Sequence, residues 1–100
     1  MQSDQNPDPS AINIELSESM AEGEYANLAL IAHSNSEFVI DFIRMMPGLP
    51  KAKVKARIVV TPEHAKRLLQ ALTENIERFE AAFGPIKMQN EAPSYPMNFG

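Results

Sequence analysis

The chain contains no cysteine, which excludes disulfides, thiolate metal sites and cysteine nucleophiles. It has two histidines, and neither stands in an HExxH motif or any other metal-ligand spacing, so no metal is expected. Only four glycines occur, and none of them forms a glycine-rich phosphate loop, which argues against nucleotide hydrolysis. Tryptophan is missing and tyrosine occurs twice, leaving few rings on which nucleic-acid bases could stack. No apolar run approaches the roughly 18 residues of a membrane span. The first ten residues are polar and acidic, without the basic and apolar regions of a secretory signal. The expectation is a cytoplasmic protein with no membrane partner.

A length of 100 residues with 44% hydrophobic content suits a single domain. The net charge of −4 conceals a segregation along the chain. Residues 1–24 carry six acids and no base, whereas residues 44–67 carry Arg44, Lys51, Lys53, Lys55, Arg57, Lys66 and Arg67 against the single acid Glu63.

Residues 1–11 and 87–100 hold prolines and small polar residues without apolar periodicity and read as tails around a domain at 12–86. Ile12, Ile14 and Leu16 alternate with Asn13, Glu15 and Ser17, predicting a half-buried first strand that ends at Glu22-Gly23-Glu24. Residues 25–33 and 38–44 predict two further strands joined by the Ser34-Asn35-Ser36 turn. The run Met46-Pro47-Gly48-Leu49-Pro50 breaks the ladder, and residues 54–60 predict a fourth strand with Val54, Ala56, Ile58 and Val60 on one face. A helix then starts at Thr61 as N-cap with Pro62 at the first helical position and Glu63 at the positive dipole end. Ala65, Leu68, Leu69, Leu72, Ile76, Phe79 and Phe83 line one helical face before Gly84 and Pro85 stop it. The fold class is therefore α+β: a four-stranded antiparallel sheet followed by one long C-terminal helix packed on one face.

One helix covers one sheet face, yet the second and third strands are apolar on both. A symmetric homodimer is the simplest cover for the other face, with Tyr25, Ala29, Ile31, Val39 and Ile43 as its interface. The alternative is that the Met-rich loop at Met45-Met46 and the C-terminal tail, with Met88, Tyr95, Met97 and Phe99, fold back over it.

The functional motifs are sparse. His33 and His64 are the only respectable acid–base candidates, and Ser34 and Ser36 beside His33 are what a tight turn wants in any case. Glu74, Glu77 and Glu80 fall on the wet side of the helix. No catalytic residue, cofactor or metal ligand is assigned, and the protein reads as no enzyme. Lys51, Lys53, Lys55 and Arg57 occupy every second position, so in a strand they point one way, and Lys66 and Arg67 follow at the helix start. Such a row suits the phosphates of single-stranded nucleic acid, the alternative function. It equally suits an edge strand protected by charge, its cations pairing with Glu37 and Asp41.

Three stretches carry a resemblance to a known family: Gly23-Glu24-Tyr25-Ala26-Asn27, His33-Ser34-Asn35-Ser36-Glu37-Phe38, and Thr61-Pro62-Glu63-His64-Ala65-Lys66-Arg67-Leu68-Leu69. Over residues 12–86, including Asn75-Ile76 and Phe83-Gly84, the chain resembles the bacterial domain-of-unknown-function family DUF3467. The resemblance implies a small bacterial protein with no catalytic residues to carry over. The expected order of four strands and a helix is also similar to the dimerising nucleic-acid-binding repeats of the PUR type, at the level of topology alone. The resulting expectation is a non-enzymatic homodimeric binding or adaptor module.

Overall fold

The computed structural model describes residues 11–48 and 51–88. Its elements run α1 (Glu18–Ala21), β1 (Leu28–His33), β2 (Phe38–Arg44), β3 (Lys53–Val60) and α2 (Pro62–Phe83). The strands form one sheet in the order β1-β2-β3, so β2 is central and, among the described residues, both of its neighbours are edges. The described residues are thus α+β, with three strands followed by a helix.

The expected first strand is absent. Residues 11–17 join no ladder, and the first regular element among the described residues is the single turn α1, capped by the Ser17 hydroxyl accepting from the Met20 N–H. Alternation at Ile12, Ile14 and Leu16 marks an amphipathic segment, but it does not supply a neighbour to pair with. With four strands reduced to three, the topological likeness to PUR-type repeats loses its basis. The expected second strand also begins later, at Leu28, because Asn27 is used differently, as described below. The remaining two strands and the helix stand where the sequence puts them.

Two compact units make up the chain, each discontinuous: Ile40–Ile58 with the described residues up to Ile31, and Ala32–Val39 with those from Val59 onward. In the first unit, the core lies on β2, with Ile40 and Ile43 as its buried apolar residues and Asp41 as its buried charge. Asn27 splices the start of β1 to the end of β2. Its backbone N–H donates to the Ile43 carbonyl at 3.0 Å. Its side-chain amide donates to the Met45 carbonyl at 3.0 Å and accepts from the Met45 N–H at 2.8 Å. The amide thereby mimics a backbone unit and extends the ladder by one step. Beside it, the Arg44 guanidinium lies over the Tyr25 ring, 5.8 Å from its centroid.

In the second unit, the 34–37 turn is closed by the Ser34 N–H donating to the Glu37 carbonyl at 2.9 Å. The Ser34 hydroxyl accepts from the N–H groups of Ser36 and Glu37, the local bonding that makes serine a turn residue. His33 then stacks against Phe38 across the hairpin, centroids 5.3 Å apart. α2 is about 33 Å long from the helical rise. The Thr61 hydroxyl accepts from the His64 N–H at 3.1 Å and satisfies one orphan donor of the first turn. At the other end Gly84 adopts φ +95°, a conformation that a side chain would strain, and the Glu80 carboxylate accepts from the Ile86 N–H at 2.8 Å.

The helix was expected to bury its apolar stripe, yet α2 has no buried residue. Helical periodicity says which side of a helix is apolar and is silent about what covers it.

Because Thr61 caps a helix with no buried residues, its loss is not masked by packing. Thr61→Ala should destabilise the chain by about 1 kcal/mol while Thr61→Ser leaves it nearly unchanged, measured by urea denaturation followed by circular dichroism.

Candidate functional site

Asp41 sits in the middle of the central strand with 4% of its surface exposed. A carboxylate there must be met by a donor, since an unpartnered buried charge is strongly destabilising. Arg57 of β3 supplies both contacts, Nε to Oδ1 at 2.6 Å and the second guanidinium nitrogen to Oδ2 at 2.7 Å. This is the two-pronged geometry that a planar guanidinium offers and an ammonium does not. The hydrogen bond from Arg57, with its positive charge, holds the Asp41 carboxyl below the usual aspartate range despite burial, and raises Arg57 in return.

The pairing fixes the orientation of β3. Arg57, Lys55 and Lys53 share a face by strand alternation, so the cationic row lies on the Asp41 side of the sheet, and Val54, Ala56 and Ile58 take the other. Lys55 lies 3.7 Å from Glu24. On α2, Arg67 pairs with Glu63, and Arg78 reaches Glu74 at 3.9 Å. Of the six residues proposed as phosphate contacts, Lys55, Arg57 and Arg67 therefore meet carboxylates of their own chain. Lys51, Lys53 and Lys66 form no ion pair among the described residues. The pairing expected between the row and strand residues is made with Asp41, by the arginine rather than a lysine. Glu37 takes no part among the described residues.

The five residues expected at a dimer interface do not share a face. The stack of His33 on Phe38 puts Ile31 and Ala29 on the side of Phe38 and Ile40 by alternation. Val39 and Ile43 point the other way, with Asp41. Tyr25, Ala29 and Ile31 are exposed, Val39 is half-buried, and Ile43 is buried at 5% exposure. Ile43 has no surface left to offer a partner.

A long uncovered apolar stripe lies on α2. Leu68, Leu69, Leu72, Ile76, Phe79 and Phe83 lie along one side, and each is between 39% and 77% exposed. Phe79 and Phe83 touch, centroids 5.0 Å apart. Their helical spacing was legible in the sequence; their exposure was not.

His33 is engaged by Phe38, and His64 lies in the first turn of α2. Among the described residues no group of three or more His, Asp or Glu side chains is arranged to hold a metal ion. None of the described helices is long and apolar enough to cross a membrane.

The conserved-domain model "Protein of unknown function (DUF3467)" matches residues 1–88. The chain belongs to the DUF3467 family. The match runs beyond the 12–86 span of the sequence resemblance at both ends and takes in the acidic start as well as the sheet and α2. No curated protein and no solved structure matches this DUF3467 chain.

The Asp41–Arg57 pair predicts a specific acid limb. Because folding lowers the Asp41 pKa, its contribution is fully present above the unfolded aspartate value, about 4, and is lost as pH falls through the lower folded value. The gap in thermal midpoint between the natural protein and Asp41→Asn should therefore close on acidification below about pH 4. At neutral pH, Arg57→Met should lower the midpoint more than Lys55→Met, since only the former strands a buried carboxylate.

Proposed function

We propose that this DUF3467 protein is a non-enzymatic binding module of the bacterial cytoplasm that works as a homodimer, with α2 as the main self-association surface. The observation that carries this reading is the uncovered stripe from Leu68 to Phe83. Monomeric proteins seldom expose contiguous apolar patches beyond a few hundred Å², and α2 sets six large, exposed apolar side chains along one side. Two copies bring on the order of 10–18 kcal/mol of unrealised burial against roughly 4–15 kcal/mol of lost freedom on association. Exposed Tyr25 and Ile31 extend the apolar surface available on the sheet. A two-fold arrangement suits a patch that matches itself. Support for a non-enzymatic role comes from His33, which is stacked on Phe38, and from the two engaged serines of its turn.

The single-stranded nucleic-acid reading has less support. Its strand row is half neutralised by Glu24 and Asp41, and Arg57 is tied into the sheet.

Light scattering at micromolar concentration should give twice the chain mass, and Leu72→Glu should return the mass of one chain with its circular dichroism intact. A natural protein that stays monomeric at every accessible concentration would remove the reading. Labelled single-stranded oligonucleotides should show no anisotropy change at low salt. Binding that weakens by about 0.7 log units per phosphate contact per decade of salt would favour the nucleic-acid role instead.

A further inference from the structure

Ile12, Ile14 and Leu16 are 85%, 90% and 71% exposed, in a segment that alternates apolar and polar residues but joins no ladder. Its downstream end is fixed by the Ser17 cap of α1 and the turn at Gly23, which has φ +78°. Among the described residues, a strand-like segment without a neighbour and a sheet with two open edges are complementary deficiencies.

The two edges differ in chemistry. β1 is apolar on both sides, with Leu28 and Leu30 on one and Ala29 and Ile31 on the other. A strand added there would set Glu15 against aliphatic side chains. β3 is amphipathic in the same sense as the segment and opposite in charge: half-exposed Val54 and Ile58 on one face, Lys53 and Lys55 on the other. Laid along β3, the segment sets Ile12, Ile14 and Leu16 beside Val54 and Ile58, and Glu15 beside the lysines. Opposite charges across neighbouring strands stabilise the pairing, and a one-residue slip would invert both faces at once.

We propose that residues 12–16 of one copy add as a fourth strand to the β3 edge of a second copy, and that the exchange is reciprocal. The proposal rests on the self-association reading and specifies its second contact, apart from α2. Reciprocity closes the assembly at two, since each β3 edge is used once. The lysines that deter indiscriminate edge pairing then select an acidic strand.

Hydrogen exchange on the full chain, at concentrations above and below dimer dissociation, tests this. In the dimer the amides of residues 12–16 should exchange about tenfold or more slowly than in the monomer, together with outward-facing amides of β3. Ile14→Asp, at a fully exposed position, should abolish that protection and weaken the dimer, whereas Leu72→Glu should abolish the dimer itself. Unprotected 12–16 amides in a proven dimer would overturn the strand exchange and leave self-association standing. Protection independent of concentration would overturn it by placing the strand on its own chain. A chain monomeric at all concentrations would overturn both readings.

Discussion

Placing an aspartate at the centre of the middle strand imposes a condition on everything laid beside it. The carboxylate of Asp41 is nearly sealed from water, and only a donor held in register can make that tolerable. Arg57 meets it with two hydrogen bonds. A shift of β3 by one residue would turn Arg57 to the opposite face and bring Ala56 or Ile58 to the carboxylate, so the ion pair selects a single register from those that hydrophobic alternation alone would allow. The position of the whole cationic row follows from this one contact.

The same condition separates the structural from the available charges. Arg57 is committed to the Asp41 carboxylate, Lys55 leans toward Glu24, and Lys53 nearer the start of β3 is exposed and forms no ion pair among the described residues. On the proposed strand exchange, the acidic opening segment and the basic strand are two halves of one electrostatic pattern. The apolar pattern behaves alike: the stripe of α2 and the alternation at residues 12–16 are both strong in sequence and both uncovered in the single chain. On the proposed reading these are the surfaces through which folding and association are coupled, as in small domains whose own core is too slight to sustain them.

Local signals were legible in the sequence and non-local ones were not. Thr61-Pro62 and Gly84-Pro85 bound α2 because capping and helix termination depend on a few consecutive residues. The serine turn at 34–37 is local in the same way. The first strand failed because a strand exists only when something lies beside it, and Ile12 to Leu16 carry the pattern without the neighbour. Asn27 escaped notice because its partner is Met45, far along the chain; an asparagine ahead of a strand is no signal of that. For the candidate site, alternation showed that the cations share a face, but which of them would meet Asp41 was settled by register. The five supposed interface residues were grouped by strand parity without the hairpin offset, which the His33–Phe38 stack reveals.

One joint in the chain is unusually short. β3 ends at Val60 and α2 begins at Pro62, leaving Thr61 alone between them. Its backbone is extended, at φ −71° and ψ 157°, and pinned by its own cap bond, while the proline ring restricts the next φ. A connection with so few free torsions behaves as a weld rather than a hinge. Torque applied by anything that grips the 22-residue helix is therefore delivered to Val59 and Val60 at the end of β3.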